Sequence, residues 1–455
     1  MSQFPTTRSV FRPHFLLLHL RAVALSFAYF VLAVAADGED LIFHPAGPFT
    51  PTELFATGQD ASADEFVRLD VARENYKVAG EGFAAVVIDS GINSRHGTLA
   101  GTVIDGHDFS GSGDTLDRYG HGTGVAALIA AQLASSNITK GVAPKAKLIP
   151  LKVYSTVPAL PPDTGPTVQR INEALKWVLD NHQRIKTEYG VQVGVVNLSL
   201  GYQKNLRQVA GLPHASYYQT QRLVQTLRDR RILVVVAAGN HFGRYDSKTG
   251  MDFPAICGGV FSVGAVFDSD FSPGPMGFLY ADGSKVYYGK QGRCTPFTQR
   301  LGGDELTENH TTIFAPGNTV YSASPFFDRD QDKSQNGETV HDGTSRSAPI
   351  VAGTVLLLQQ HYKRLLGTSD LPPVDQIEEC LTKGGIKFTD SEEDPPETFD
   401  NVKSTEREFV RLDIPGALKH LTEQFQQAVT GARMAAGNAA EGAPIEINGF
   451  GVQLK

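Results

Sequence analysis

Cysteine is scarce: Cys257, Cys294 and Cys380 are the only three in a chain of 455 residues. So few cannot build a disulfide framework, and an odd number leaves at least one thiol unpaired within the chain. Their wide spacing excludes a local thiolate metal site, so they read as structural. Basic charge is also short. Lys and Arg number 41 against 49 Asp and Glu, a net charge of −8, and no basic block offsets it; nucleic acid is therefore not an expected partner. The glycine signatures of nucleotide sites are missing too, since no strand-like run is followed by GxGxxG or by a P-loop.

What remains is a loop-rich globular composition, 41% hydrophobic and 20% charged with 46 glycines, in a chain long enough to bury a large core. At the N-terminus Arg8, Arg12 and Arg21 precede "AVALSFAYFVLAVAADGED", an apolar stretch that ends in small residues and then turns acidic. That order fits a secretory signal over residues 1–36, with Ala33 and Ala35 in an AxA-like cleavage pattern. The alternative is an uncleaved membrane tether through residues 15–36, although Arg21 interrupts the span. Either reading places the rest of the chain outside the cytoplasm. Residues 37–64 have little periodicity and read as a linker or short pro-segment.

Beyond residue 65, "GFAAVVIDSG", "AKLIPLKVY", "VGVVNLSLG" and "RILVVVAAGN" are short, nearly continuous apolar runs rich in Val and Ile. Such runs suit strands buried on both faces. Helical patterns lie between them, for example "VQRINEALKWVLDNHQRI", with Ile171, Leu175 and Val178 on one face. The alternation predicts an α/β fold in three layers, a mostly parallel central sheet with helices on both faces. In such sheets, sites form at the carboxyl ends of the strands. Asp89 stands at the end of "VVID", Ser199 to Gly201 at the end of "VVNLSLG", and Asn240 at the end of "VVVAAGN".

Two further stretches carry chemistry. "VHDGTSRSAPIVAG" puts Ser345 at the start of an apolar helix, where a hydroxyl serves either as a cap or as a nucleophile at the positive helix end. "DRYGHGTGVAALIAA" puts His121 among Gly120, Gly122 and Gly124 at another helix start, where a His taken alone is most simply a capping or core residue. Taken together with Asp89, the set changes meaning. A serine hydroxyl needs an imidazole to take its proton, and the imidazole needs a carboxylate to fix its tautomer and stabilise its charged form.

These residues resemble the subtilases, the subtilisin-like serine peptidases. The matching stretches are "VVIDSGI", "GHGTGVA", "GVAPKAKLIPLKV", "VVNLSLG", "VVVAAGN", "FAPG" and "GTSRSAPIVAG", in the family's order, with "RLDIPGAL" at 411–418 similar to the segment that closes many subtilase domains. The resemblance implies a peptidase domain over residues 65–421, followed by a C-terminal tail over 422–455. It also implies a serine endopeptidase acting on polypeptides through an acyl-enzyme. In that reading Ser345 is the nucleophile, His121 the general base and then acid, and Asp89 the residue that orients it. Asn240 is the side-chain oxyanion donor, and Ser199, Leu200 and Gly201 form the strand that pairs with substrate.

For the pocket that receives the residue before the scissile bond, the aromatic-Pro pair Phe253–Pro254 points back to Asp252, whereas counting forward from Asn240 favours Met251. The sequence also departs from the family. Gly124 stands where a second His is common, and Arg346, Ser347, Ala348 and Ile350 replace Met, Ala, Ser and His. The carboxylate that would bind calcium shortly after Asp89 is missing from "INSRHGTLAG", while "ASSNITKG" at 134–141 could still form a loop of similar length, so structural calcium is doubtful rather than excluded and no metal-ligating residue is named; the chemistry itself requires no cofactor. Arg346 and the short pro-segment motivate a second reading, a subtilase-fold protein that binds peptides with little or no cleavage.

Overall fold

The computed structural model describes residues 62–435 except 135–138, 156–167, 203, 211, 213–214, 271–289, 304–306, 308, 319, 325–335 and 392–401, together with 44–45, 445–448 and 451–454. In chain order the strands are β1 (His44–Pro45), β2 (Phe83–Asp89), β3 (His107–Asp108), β4 (Lys147–Lys152), β5 (Gln192–Leu198), β6 (Leu200–Gly201), β7 (Leu233–Ala237), β8 (Phe261–Val266), β9 (Ile313–Pro316), β10 (Val320–Ser324), β11 (Gly337–His341), β12 (Ile386–Thr389), β13 (Glu408–Arg411), β14 (Ile445–Asn448) and β15 (Gly451–Leu454). The helices are α1 (Ser62–Phe66), α2 (Leu69–Tyr76), α3 (His121–Ala130), α4 (Val168–Tyr189), α5 (Ala215–Asp229), α6 (Thr344–Leu366), α7 (Val374–Lys383) and α8 (Ile414–Ala435).

The apolar runs form the middle of a nine-stranded sheet in the order β12-β13-β9-β8-β7-β5-β2-β4-β3. Every pairing from β13 to β3 is parallel, and only the β12–β13 edge is antiparallel. The continuous hydrophobicity follows from burial on two sides. Ala85, Val87, Val195, Val235 and Val263 share one core with Ala126 and Ile129 of α3 and Val351 and Val355 of α6. The alternate residues Ala84, Val86, Val196 and Val236 are equally buried on the opposite face, where α4 and α5 pack against β5 and β7. Truncating one of these core side chains costs about 1–4 kcal/mol, depending on how far the cavity collapses.

Register sets the site. Ile88 lies beside Leu198 and Leu198 beside Val236, so Asp89, Ser199 and the residues after Ala237 reach the same edge of the sheet. At the other end of the chain, α8 runs unbroken through residues 421 and 422, and Leu418 and Leu421 belong to the main core. The tail boundary expected there falls inside a helix, because the apolar stripe carries on where Ala- and Gly-rich composition suggested a break. Cys257, Cys294 and Cys380 form no disulfide with one another. Residues 1–36, read as a signal or tether, fall outside the described residues; among the described residues no helix is long and apolar enough to cross a membrane.

Candidate active site

Asp89 is fully buried at the end of β2, and its carboxylate is heavily used. Oδ1 accepts from Ser90 N at 2.7 Å and from the Tyr154 phenol at 2.7 Å. The His121 ring meets both carboxylate oxygens through Nδ1, at 2.9 and 3.0 Å. A carboxylate only accepts, so Nδ1 carries the proton and Nε2 of the neutral ring is left as a base. That Nε2 is buried and has no hydrogen-bond partner.

His121 is the first residue of α3, and the helix start is built around Asp117. This buried carboxylate accepts from Ser90 Oγ at 2.9 Å, from Tyr119 N and Gly120 N at 2.8 Å, from Thr123 N at 2.9 Å and from Thr123 Oγ1 at 2.6 Å. Burial pushes its carboxyl upward while the bonds from Thr123, Gly120 and Tyr119 pull it down. Gly122 lets α3 sit on the end of β2: a Cβ there would stand 2.2 Å from Gly91 O and 3.1 Å from Asp89 Cβ. No side chain fits that space.

Ser345 is the second residue of α6, buried, with its amide in the first helical turn where N–H groups have no helical acceptor. Its hydroxyl donates to Ser199 O at 3.3 Å, and the Ser199 hydroxyl donates in return to Ser345 O at 3.0 Å. The Ser345 proton therefore points at the strand edge and not at His121 in this rotamer. Asn240 follows β7, and its Oδ1 accepts from Thr344 N at 2.9 Å and Thr344 Oγ1 at 2.8 Å. Its Nδ2, buried without a partner, is left over.

The edge that carries Ser199 already takes a strand. β1 pairs antiparallel with β6, His44 opposite Gly201 and Pro45 opposite Leu200. Of the two pocket positions left open by the sequence, Met251 is turned into the core, where its sulfur meets Ser262 Oγ at 3.0 Å. Asp252 is the side chain between the two glycine walls: a Cβ on Gly201 would stand 2.4 Å from Asp252 Oδ2, and one on Gly239 2.9 Å from Asp252 Cβ. Its Oδ1 accepts from Phe253 N at 2.8 Å, Tyr202 N at 2.9 Å and Lys204 N at 3.0 Å, so the carboxylate holds the loop.

Two residues at this site were not singled out from the sequence. Tyr154 lies two positions beyond Lys152, which stands beside Asp89 in the β2–β4 register, and that parallel register is the signal that would have found it. Burial, then Asp89, pushes its phenol well above the usual range, so it stays a donor. Asp117, four residues before His121, offered no signal beyond its proximity. Among the described residues no three of His, Cys, Asp and Glu converge as metal ligands.

The profile of the subtilase family matches residues 80–381. The chain is 29% identical to the serine protease AprX of Bacillus subtilis (strain 168), over 72% of this chain and 66% of that protein. It is 30% identical to subtilisin-like protease 2 of Trichophyton verrucosum, over 62% of this chain and 51% of that one. The chain thus spans between half and just under two thirds of these relatives. In solved structures it resembles fervidolysin of Fervidobacterium pennivorans, a keratinolytic enzyme related to subtilisin, with a TM-score of 0.55, 19% identity, and coverage of 83% of this chain and 51% of that one. That likeness is one of fold.

Proposed function

This chain belongs to the subtilase family of subtilisin-like serine proteases, and from that premise we propose that it is an endopeptidase working through Asp89, His121 and Ser345. The observation that carries the reading is the charge arrangement at one sheet edge: a proton-bearing Nδ1 on Asp89, an unspent Nε2 on His121, and an unspent Nδ2 on Asn240 beside the first turn of α6. In the first step Ser345 Oγ rotates from Ser199 O to His121 Nε2, gives up its proton there and attacks the scissile carbonyl. Asp89 stabilises the imidazolium that results. The oxygen of the tetrahedral intermediate is held by Asn240 Nδ2 and Ser345 N, donors fixed before the reaction begins. His121 then protonates the leaving amine, and water releases the acyl group by the reverse sequence. No step calls for a metal, and no calcium site is assigned.

Substrate pairs as an extended strand with Ser199, Leu200 and Gly201, the edge that β1 occupies as a pro-segment in this reading. Asp252 forms the pocket floor for the residue before the scissile bond, where a buried carboxylate favours Lys or Arg. The N-terminal pattern of residues 1–36 supports the reading that this activity lies outside the cytoplasm. The turned-away Ser345 hydroxyl favours a second reading, a binder that does not cleave. Incubating the purified chain with denatured casein separates the two: fragments from wild type and none from Ser345→Ala support the peptidase, and intact casein with both supports the binder. A peptide series varied only at the residue before the bond tests Asp252, whose role is contradicted by a preference for Phe or Leu over Arg.

A further inference from the structure

Gln299 is fully buried, and its side-chain amide is used at one end only. Nε2 donates to Lys204 O at 2.7 Å and to Asn205 Oδ1 at 2.9 Å. Two acceptors around the nitrogen fix which end of the amide is which. Oε1, the other end, has no hydrogen-bond partner. The backbone holds the residue beside the active-site edge, since Gln299 N donates to Gly239 O at 2.8 Å. Gly239 directly precedes Asn240, so Gln299 Oε1 joins His121 Nε2 and Asn240 Nδ2 as a buried, unspent group at that edge.

The place of Oε1 is defined by Gly239, whose φ is 114°. The three atoms nearest to a Cβ on that glycine are Gln299 Oε1 at 2.2 Å, Gln299 Cδ at 2.8 Å and Asp252 Cβ at 2.9 Å. On the opposite wall, a Cβ on Gly201 would meet Asp252 Oδ2 at 2.4 Å and Asp252 Cγ at 2.8 Å. Gln299 and Asp252 therefore share one face of Gly239, and the Asp252 carboxylate reaches across to Gly201.

Holding the loop does not account for Oε1. The segment 202–206 is already tied to Asp252 through Tyr202 N and Lys204 N, and to Met251 through reciprocal backbone bonds with Leu206 at 2.7 and 2.9 Å. Gln299 adds its Nε2 to that frame and keeps a buried acceptor without a donor, a cost in the resting protein. The neighbouring carboxylate only accepts, so it cannot supply the missing proton. A donor carried in by substrate can.

Resting on the reading of Asp252 as the floor of the pocket for the residue before the scissile bond, we propose that Gln299 Oε1 is a second acceptor of that pocket and selects Arg over Lys. Asp252 supplies the charge that attracts either side chain. A guanidinium presents donors along two edges of a rigid plane and reaches Asp252 and Gln299 together, between the bare walls of Gly201 and Gly239. An ammonium is a compact, strongly hydrated point charge that gains its attraction from Asp252 and leaves the amide oxygen short of a donor.

The test measures the affinity of three peptides that differ only in Arg, Lys or Leu before the bond. The proteins are Ser345→Ala chains that are otherwise wild type or also carry Gln299→Met or Asp252→Asn. Binding needs no cleavage, so the outcome stands whether the protein is a peptidase or a binder. The parent chain is expected to favour Arg over Lys by about tenfold, and Gln299→Met to bring the two within about twofold by weakening Arg alone. Asp252→Asn is expected to weaken both. A Gln299 that only holds the loop would weaken Arg and Lys equally and keep their ratio; that result overturns the inference and leaves Asp252 standing. Absence of an Arg preference in the parent chain overturns it as well, and needs no variant to fold. If Asp252→Asn leaves both affinities unchanged, or if neither basic peptide binds better than the Leu peptide, the pocket reading itself falls and the inference with it.

Discussion

Asn240 is tied by its oxygen and spare at its nitrogen: Oδ1 holds Thr344 N at 2.9 Å and Thr344 Oγ1 at 2.8 Å, which fixes the amide plane and leaves Nδ2 with no partner. A buried donor with nothing to donate to is a cost in the resting protein. It becomes a gain when negative charge develops next to it.

Asn240→Ala should accordingly lower turnover by about 10²–10³, the scale established for the equivalent amide in subtilisin, with a much smaller change in KM. Steady-state kinetics on one peptide substrate measures the split. A change confined to KM would show that Asn240 binds substrate and does not stabilise the transition state.

Tyr154→Phe removes the phenol bond to Asp89 Oδ1 and leaves the ring, its packing against Tyr119 and the Asp89–His121 pair in place. A bond to a buried carboxylate is worth about 1.5–3 kcal/mol, so turnover should drop by roughly tenfold or more. Unchanged turnover would make Tyr154 a packing residue only.

The difference between what the sequence disclosed at this site and what it hid has a physical basis. Asp89, His121, Asn240 and Ser345 each sit where an apolar run gives way to glycine or starts a helix, and that punctuation is written locally. The mostly parallel sheet behind them was legible for the same reason, through Val- and Ile-rich runs buried on both faces, whereas the order of its strands was not read. Tyr154 and Asp117 act through parallel register and loop closure, which join residues 65 and 27 positions apart. Arg346 and Gly124 stood out separately as departures from the family, and only packing brings them together, with Arg346 Nη1 2.4 Å from where a Cβ on Gly124 would stand. The helix across residues 421–422 was hidden by alanine and glycine, which signal helix and loop at once.

Stability should fall on mild acidification because of His361. Burial, then Arg364, lowers its folded-state value to about 4, and Nε2 stays paired with Thr422 Oγ1 at 2.8 Å. An unfolded imidazole titrates near about 6.5. The unfolded chain therefore binds the proton first, and the contribution that is complete above about 6.5 is lost as pH falls toward 4. His361→Asn should flatten the melting temperature between pH 7 and 4 relative to wild type. Parallel curves for the two proteins would show that another group controls acid sensitivity.

Because β1 lies on the Leu200–Gly201 edge, a chain beginning at residue 62 should react faster than the full chain with a substrate-sized probe. A synthetic peptide covering residues 40–48, added back, should slow it in competition with substrate. Equal rates for the two chains would mean that β1 leaves the edge too readily to compete.

The central claim, an activated Ser345 served by His121, is tested most directly by treating the purified chain with a fluorophosphonate near neutral pH and mapping the adduct by mass spectrometry. Only a serine whose proton is being withdrawn reacts at a useful rate. One adduct is expected, on Ser345, absent in Ser345→Ala and nearly absent in His121→Ala. No adduct on a folded wild-type chain, or an adduct on any other residue, would contradict the claim.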